Sequence, residues 1–200
     1  MTSTQPATAG TRPDRVLTQA LDAFGRYGFR KTSMEDVARS AGISRQGLYL
    51  RYANKELLFR AAVRQELDAA LDEASERLNE KGVGLDRRIV GALDAWLGRY
   101  VGSMLADDIA NMLESPAAQL EEVVGAAISE FDARLAAAIA SATPAGDRKR
   151  LRVTPKEVAA VLHTVGQGAK YLSKSREEFV ARATAATRLV LAGFHTTERR

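Results

Sequence analysis

The chain contains no cysteine. Disulfide staples, thiolate metal sites and cysteine nucleophiles are therefore excluded, and the absence fits a reducing cytoplasm. Histidine is almost as scarce, with only His163 and His195 present, which leaves poor raw material for a zinc site. Long apolar runs are missing as well. None approaches the roughly 18–20 residues that cross a bilayer, so no membrane partner is expected. The stretch Met1 to Pro13 is rich in Thr, Ala, Ser and Pro and has no apolar segment after a basic start. It is expected to be a disordered tail, not a secretory signal. Acid/base chemistry also lacks its usual parts. The carboxylate pairs Asp107-Asp108, Glu121-Glu122 and Glu177-Glu178 are adjacent in sequence, and neighbours on a helix point about 100° apart. The stretch Gly166-Gln167-Gly168 follows no strand pattern, so it is not a phosphate loop. No enzyme activity, cofactor or metal is expected.

Alanine, by contrast, is plentiful. Hydrophobic residues make up 46% of the 200 positions, but aromatics only 6%. Alanine is the best helix former, so this balance points to an all-α fold. The length allows one larger domain or two small ones. Charge is unevenly placed. Residues 1–60 carry ten Lys/Arg against five Asp/Glu, whereas residues 61–200 carry nineteen against twenty. The whole excess of positive charge sits in the first third, either as phosphate binding by one small domain would need or as a chance imbalance on a solvated surface.

Helical periodicity runs the length of the chain. Val16, Leu17, Ala20, Leu21, Phe24 and Tyr27 mark a first helix that starts near Pro13 and is closed by Gly28. Thr32 with Glu35, or Ser33 with Asp36, has the spacing of a capping box. The second helix is short, with Met34, Val37, Ala38 and Ala41 inward, and Gly42 breaks it. Ser44 caps a third helix, Arg45 to about Arg51, with Leu48 inward. Asn54 caps a fourth that continues to about Leu78. Lys81-Gly82-Val83-Gly84 is a loop. Asp86 to Leu105 is expected to be helical, as are Asp107 to Leu113, Pro116 to about Ala142, Pro155 to about Leu172 and Arg176 to about Phe194. Residues 143–147 are expected to form a loop, extended by the basic run Arg148-Lys149-Arg150.

Two short helices joined by a tight glycine turn, followed by a polar helix start, describe a helix-turn-helix. Its second helix must present side chains to base edges in the major groove. Arg45 and Gln46 are long, multi-donor groups suited to that reading. Ser44, Tyr49 and Lys55 lie near helix starts, which attract phosphate. Gly47 inside a helix costs about 1 kcal/mol relative to alanine. Either crowding between helices or close approach to DNA accounts for it.

Residues 16–63 resemble the DNA-binding domain of the TetR (tetracycline-repressor) family. The resemblance is carried by Ala23-Phe24 through Gly28, Thr32-Ser33-Met34-Glu35-Asp36-Val37-Ala38, Ala41-Gly42-Ile43-Ser44, Gly47-Leu48-Tyr49, Tyr52 and Lys55-Glu56-Leu57-Leu58. Two places depart from the family's commonest pattern. Gly47 stands where a small hydroxylated residue is frequent, and Arg51-Tyr52 where a His-Phe pair is. The resemblance implies nine or so helices, a C-terminal ligand-binding domain and a two-fold dimer. It also implies that Tyr49 and Lys55 hold phosphates while the start of the third helix reads bases. The DNA-contact candidates are Thr32, Ser33, Ser44, Arg45, Gln46, Gly47, Tyr49, Arg51 and Lys55. The expected division is a tail over 1–13, a three-helix DNA-binding domain over 14–60, and a helical ligand-binding and dimerisation domain over 61–200.

In that last region, small residues on two helices suggest close helix approach. Ala159, Gly166, Gly168, Ala169, Ala183, Ala186 and Val190 are candidates for a four-helix interface between two copies. Trp96, Tyr100, Met104, Met112, Phe131, His163, Gln167 and Tyr171 are large or polar groups on otherwise apolar helices. They are candidates for the lining of a pocket for a small, largely apolar effector of unknown identity. The expected partners are double-stranded operator DNA, that effector and a second copy of the chain. The expected function is that of a repressor which binds a palindromic operator and is released by the effector. The alternative is a ligand-responsive dimeric interaction protein whose helix-turn-helix reads no specific operator, and a small non-specific DNA binder is a further one.

Overall fold

A computed structural model describes residues 13–103 and 118–194. Among these residues there are nine α-helices, one 3-10 turn and no strand. The chain divides into two compact units, residues 1–65 and 66–200.

Unit 1 is built from α1 (Arg15–Tyr27), α2 (Met34–Ala41), α3 (Arg45–Arg51) and the first turns of α4 (Lys55–Leu78). Local sequence explains each boundary. The Asp14 carboxylate accepts from the Val16 amide and caps α1. Ser33 and Asp36 form the reciprocal capping box that opens α2. Gly42 closes α2 at φ 69°, a left-handed conformation that costs a glycine least. Ser44 caps α3 and Asn54 caps α4, accepting from the Gly47 and Leu57 amides at 3.0 and 2.8 Å. The core of the unit is an aromatic cluster. Phe24 and Phe59 meet edge to face at 5.0 Å between ring centroids, and Phe29 joins them at 5.5 and 5.1 Å. Val37, Ala38, Leu48 and Leu58 are buried in the same unit.

Unit 2 contains the rest of α4, then α5 (Leu85–Trp96), the 3-10 turn Gly98–Tyr100, α6 (Ala118–Ala142), α7 (Ala145–Leu151), α8 (Pro155–Leu172) and α9 (Arg176–Ala192). Leu120, Val123, Ala127, Phe131, Leu135 and Ile139 recur every three or four residues and form the inner stripe of α6. Helix α8 packs against both α6 and α9, and α9 packs against α5. Gly166 lets α8 also come close to the C-terminal end of α5. A Cβ there would lie 2.8 Å from Leu97 Cδ1 and 3.3 Å from Leu93 Cδ2.

Two expectations about elements are corrected. Helix α5 stops at Trp96 instead of running to Leu105. The chain tightens into the 3-10 turn, and Arg99 and Tyr100 there bond to Glu66 and Glu73 on α4. Tertiary ion pairing overrides the local periodicity. The basic run, expected as loop, is helical. Pro144 presets the entry, Asp147 sits in the first turn, and Arg148, Lys149 and Arg150 sit in the last, each complementing the helix dipole. Arg148 also donates to Ala140 O at 3.2 Å and to the Thr143 carbonyl, tying α7 to the end of α6. The expected helix over 107–113 lies outside the described residues.

Candidate nucleic-acid interface and effector core

The geometry of α3 follows from its one buried residue. Leu48 is fully buried and anchors the helix. At 100° per residue, Gln46 and Leu50 lie about 160° from Leu48, at the centre of the outward face. Both are exposed, as is Tyr49 on one flank of that face. Arg45 is exposed, reaches to 4.0 Å from a Glu35 carboxylate oxygen, and stands 5.6 Å over the Tyr49 ring. Gly47 is not explained by crowding between helices. A Cβ there would meet only the Ser44 hydroxyl oxygen, at 3.1 Å.

The remaining candidates are placed less simply. Thr32 is buried and its hydroxyl donates to Gly28 O at 2.9 Å, so its side chain holds the α1–α2 turn and faces away from any external partner. Ser33 is exposed, but its hydroxyl donates to Asp36 at 2.6 Å. That bond and the Ser33 amide hold the Asp36 carboxyl below its ordinary range. Arg51 is ion-paired with Asp14, the cap of α1. Asp14 in turn donates its amide to Gln65 Oε1 at 2.7 Å, so Arg51 braces α3 against α1. Lys55 donates to Phe29 O at 2.9 Å and stands 4.4 Å over the Phe29 ring. Sequence reasoning missed Arg30 and Lys31, two exposed cations just before α2. Their signal was their position beside the capping box.

In unit 2 the structure brings four expected pocket residues together. Trp96 and Phe131 stack at 5.0 Å between centroids. The Trp96 indole N–H donates to His163 Nε2 at 3.2 Å. Nε2 is therefore the acceptor, and Nδ1 carries the proton that faces Asp132 Oδ1 at 2.6 Å. Gln167 Nε2 lies 3.3 Å from the same imidazole nitrogen. Asp132 was missed because its partner lies 31 residues away on another helix. Tyr100 belongs to a separate network. Its hydroxyl donates to Glu66 Oε1 at 3.3 Å, and burial first, then the Glu66 charge, push its pKa upward. Tyr171 is 66% exposed, so it is not part of this core. Met104 and Met112 lie outside the described residues. A groove of about 340 Å³ between α5 and α9 is lined by Asp86, Arg87, Val90, Gly91, Asp94, Val180, Thr184 and Arg188, none of them expected as pocket residues. Among the described residues no three His, Asp or Glu side chains are grouped to hold a metal ion.

The small residues divide into two sets. Ala159, Gly166, Ala169 and Ala183 are buried inside the chain and pack its own helices together. They are corrected as interface residues. Gly168 is exposed, and Ala186 and Val190 are half-buried. The outward row of α8 is Val161, Val165, Gly168 and Leu172, with Val161 50% and Leu172 68% exposed. On α9, Leu189 is 76% exposed. The spacing of four, three and four residues was the available signal.

Comparison with known proteins bears on both units. Residues 16–62 match the model of bacterial regulatory proteins of the tetR family. The N-terminal unit belongs to the tetR family. It is similar to the uncharacterized HTH-type transcriptional regulator YezE of Bacillus subtilis, with 40% identity over 67 residues, 34% of this chain and 34% of that protein. The match thus spans about a third of that relative's length. The tetR-type architecture extends over both units. A transcriptional regulator from Rhodococcus superposes with a TM-score of 0.72 at 20% identity, covering 94% of this chain and 100% of that one. The regulator FadR of Bacillus subtilis, solved in complex with stearoyl-CoA, gives a TM-score of 0.67 at 12% identity, covering 90% and 98%. At these identities the likeness is one of fold.

Proposed function

We propose that the chain is a transcriptional regulator, not an enzyme, which binds a palindromic duplex as a homodimer and is released by a small, largely apolar effector. The observation that carries the reading is the tetR-family helix-turn-helix, with α3 seated by its one buried residue, Leu48, and turning Gln46, Leu50 and Tyr49 outward. Gln46 and Arg45 reach base edges, while Tyr49, Lys55, Arg30 and Lys31 meet phosphates. The basic excess of residues 1–60 supplies the sequence-independent part of the affinity.

Two copies associate through the outward faces of α8 and α9. Val161, Val165, Gly168 and Leu172, with Leu189, supply an apolar patch that water covers in a lone chain. The effector enters the core beside Trp96, Phe131, His163 and Gln167, parting the Trp96–Phe131 stack. An apolar effector suits that lining, and FadR, similar in fold, is solved in complex with stearoyl-CoA. Helix α4 contributes residues to both units. A tilt of this 24-residue helix, about 36 Å long, carries effector binding to α3. A coupling of about 1–3 kcal/mol corresponds to roughly 5–150-fold weaker DNA binding.

The test is selection of duplexes from a randomised library by the full chain, followed by footprinting. A palindromic sequence with half-sites about 34–36 Å apart is expected. Recovery of unrelated sequences, with no protected footprint, contradicts the reading.

A further inference from the structure

Leu50 is the most exposed large apolar side chain among the described residues, at 81%. Its neighbours in rank, Leu189 and Leu172, belong to the α8–α9 face and have an assigned use there. Leu50 lies instead on a helix of seven residues within the basic unit. It is four residues beyond Gln46, so the two side chains are vertical neighbours on the same outward face, with Cβ atoms roughly 5–6 Å apart. Among the described residues nothing folds over that face, and no polar residue replaces the leucine where water would favour one.

A major groove offers this pair complementary chemistry. Thymine presents a C5-methyl group there, and its partner adenine presents an acceptor and a donor that match a glutamine amide. A leucine beside a glutamine on one helical face therefore fits adjacent base pairs, one read by apolar contact and one by hydrogen bonds. The flanks support the same occupant. Arg45 and Arg51 carry positive charge on either side of α3, although each has a carboxylate near it. A protein partner at this patch would have to accept that basic surround, whereas the phosphate rails of a duplex require it.

We propose that Leu50 reads the C5-methyl group of a thymine in each half-site and so helps to set the operator sequence. The inference rests on the operator reading above and adds to it a residue that confers base preference without a hydrogen bond.

The experiment uses the full chain and the duplex recovered by selection. Each thymine is replaced in turn by uracil, which removes only the methyl group and keeps the base pair intact. Binding is measured by fluorescence anisotropy for the unsubstituted chain and for Leu50→Ala. One uracil position per half-site is expected to weaken binding about fourfold, the factor that burying one methyl group corresponds to, and both half-sites together about fifteenfold. Leu50→Ala is expected to lose affinity for the thymine duplex and to become indifferent to uracil at that same position. Because Leu50 is so exposed, Leu50→Ala is expected to melt at an unchanged temperature, and a lowered melting temperature would overturn its placement. If Leu50→Ala keeps the full response to every uracil, or the unsubstituted chain responds to none, the inference fails while operator binding stands. If no duplex is recovered at all, the operator reading fails and takes this inference with it.

Discussion

Substituting Gly166 by alanine tests whether α8 owes its seat against α5 to a missing side chain. In an exposed helix interior, Gly→Ala stabilises by up to about 1 kcal/mol. At Gly166 the added methyl would lie 2.8 Å from Leu97 Cδ1 and 3.3 Å from Leu93 Cδ2, both on well-packed side chains. Overpacking of this kind costs about 1–3 kcal/mol. The net effect therefore runs from neutral to about 2 kcal/mol destabilising. Gly125 is the control, since a Cβ there meets nothing within 4 Å on the exposed side of α6. Gly125→Ala is expected to stabilise by up to about 1 kcal/mol, leaving the two variants about 1–3 kcal/mol apart. With a urea m-value of about 2 kcal/mol/M the midpoints separate by roughly 0.5–1.5 M. Trp96 is the single tryptophan and lies on the helix that Gly166 approaches, so its fluorescence is the natural probe. His163, one turn before Gly166, accepts the Trp96 indole bond, and a shifted α8 should alter the Trp96 emission of the folded state as well. Equal midpoints and unchanged emission for Gly166→Ala and Gly125→Ala would refute the close-approach argument.

Other outcomes follow from the same geometry. Val165→Glu places a charge at the middle of the outward α8 row and should yield a monomer by sedimentation, with operator binding lost; a dimer that persists contradicts the assigned face. Asp132→Ala strips the acceptor from His163 Nδ1–H and should cost about 1 kcal/mol, given that the carboxylate is partly solvated, whereas Asp132→Asn keeps an acceptor and should cost less in thermal melts. Arg99→Met leaves Glu66 and Glu73 unbridged on α4 and should cost about 1 kcal/mol at low salt, shrinking as salt rises. The Asp36 and Glu157 carboxyls are both held below their ordinary range, Asp36 by the Ser33 hydroxyl and amide, and Glu157 by the Thr154 amide and hydroxyl. Their contribution is therefore present above the unfolded carboxyl range and lost as pH falls through the lower folded values. Ser33→Ala and Thr154→Ala should flatten that acid limb of a stability–pH curve, and an unaltered limb counts against the capping boxes as its source.

What could be read from the sequence was mostly local. The turn Gly42-Ile43-Ser44, the capping box of Ser33 with Asp36 and the inward Leu48 depend on neighbours within four residues, and each stands where the pattern put it. The misreadings needed information from elsewhere in the chain. A run of small residues says that some helix comes close but not which one. Ala159, Gly166, Ala169 and Ala183 therefore looked like contacts for a second copy while serving the chain's own core. Helix α5 ends early because Arg99 finds carboxylates on α4, a partnership that periodicity cannot contain. Thr32 and Arg51 carry the polar chemistry of DNA contacts, yet Gly28 O and Asp14 claim them first. Four of the eight pocket candidates meet around His163, whereas the Asp132 that orients it left no local trace.

The central claim is that α3 reads sequence, and paired titrations test it most directly. The full chain is titrated against its selected duplex and against the same base composition scrambled, at two salt concentrations. A specific regulator should favour the selected duplex by a factor of about 10³ or more, with affinity for both duplexes falling steeply as salt rises. Near-equal affinity for the two duplexes at both salts would contradict the account.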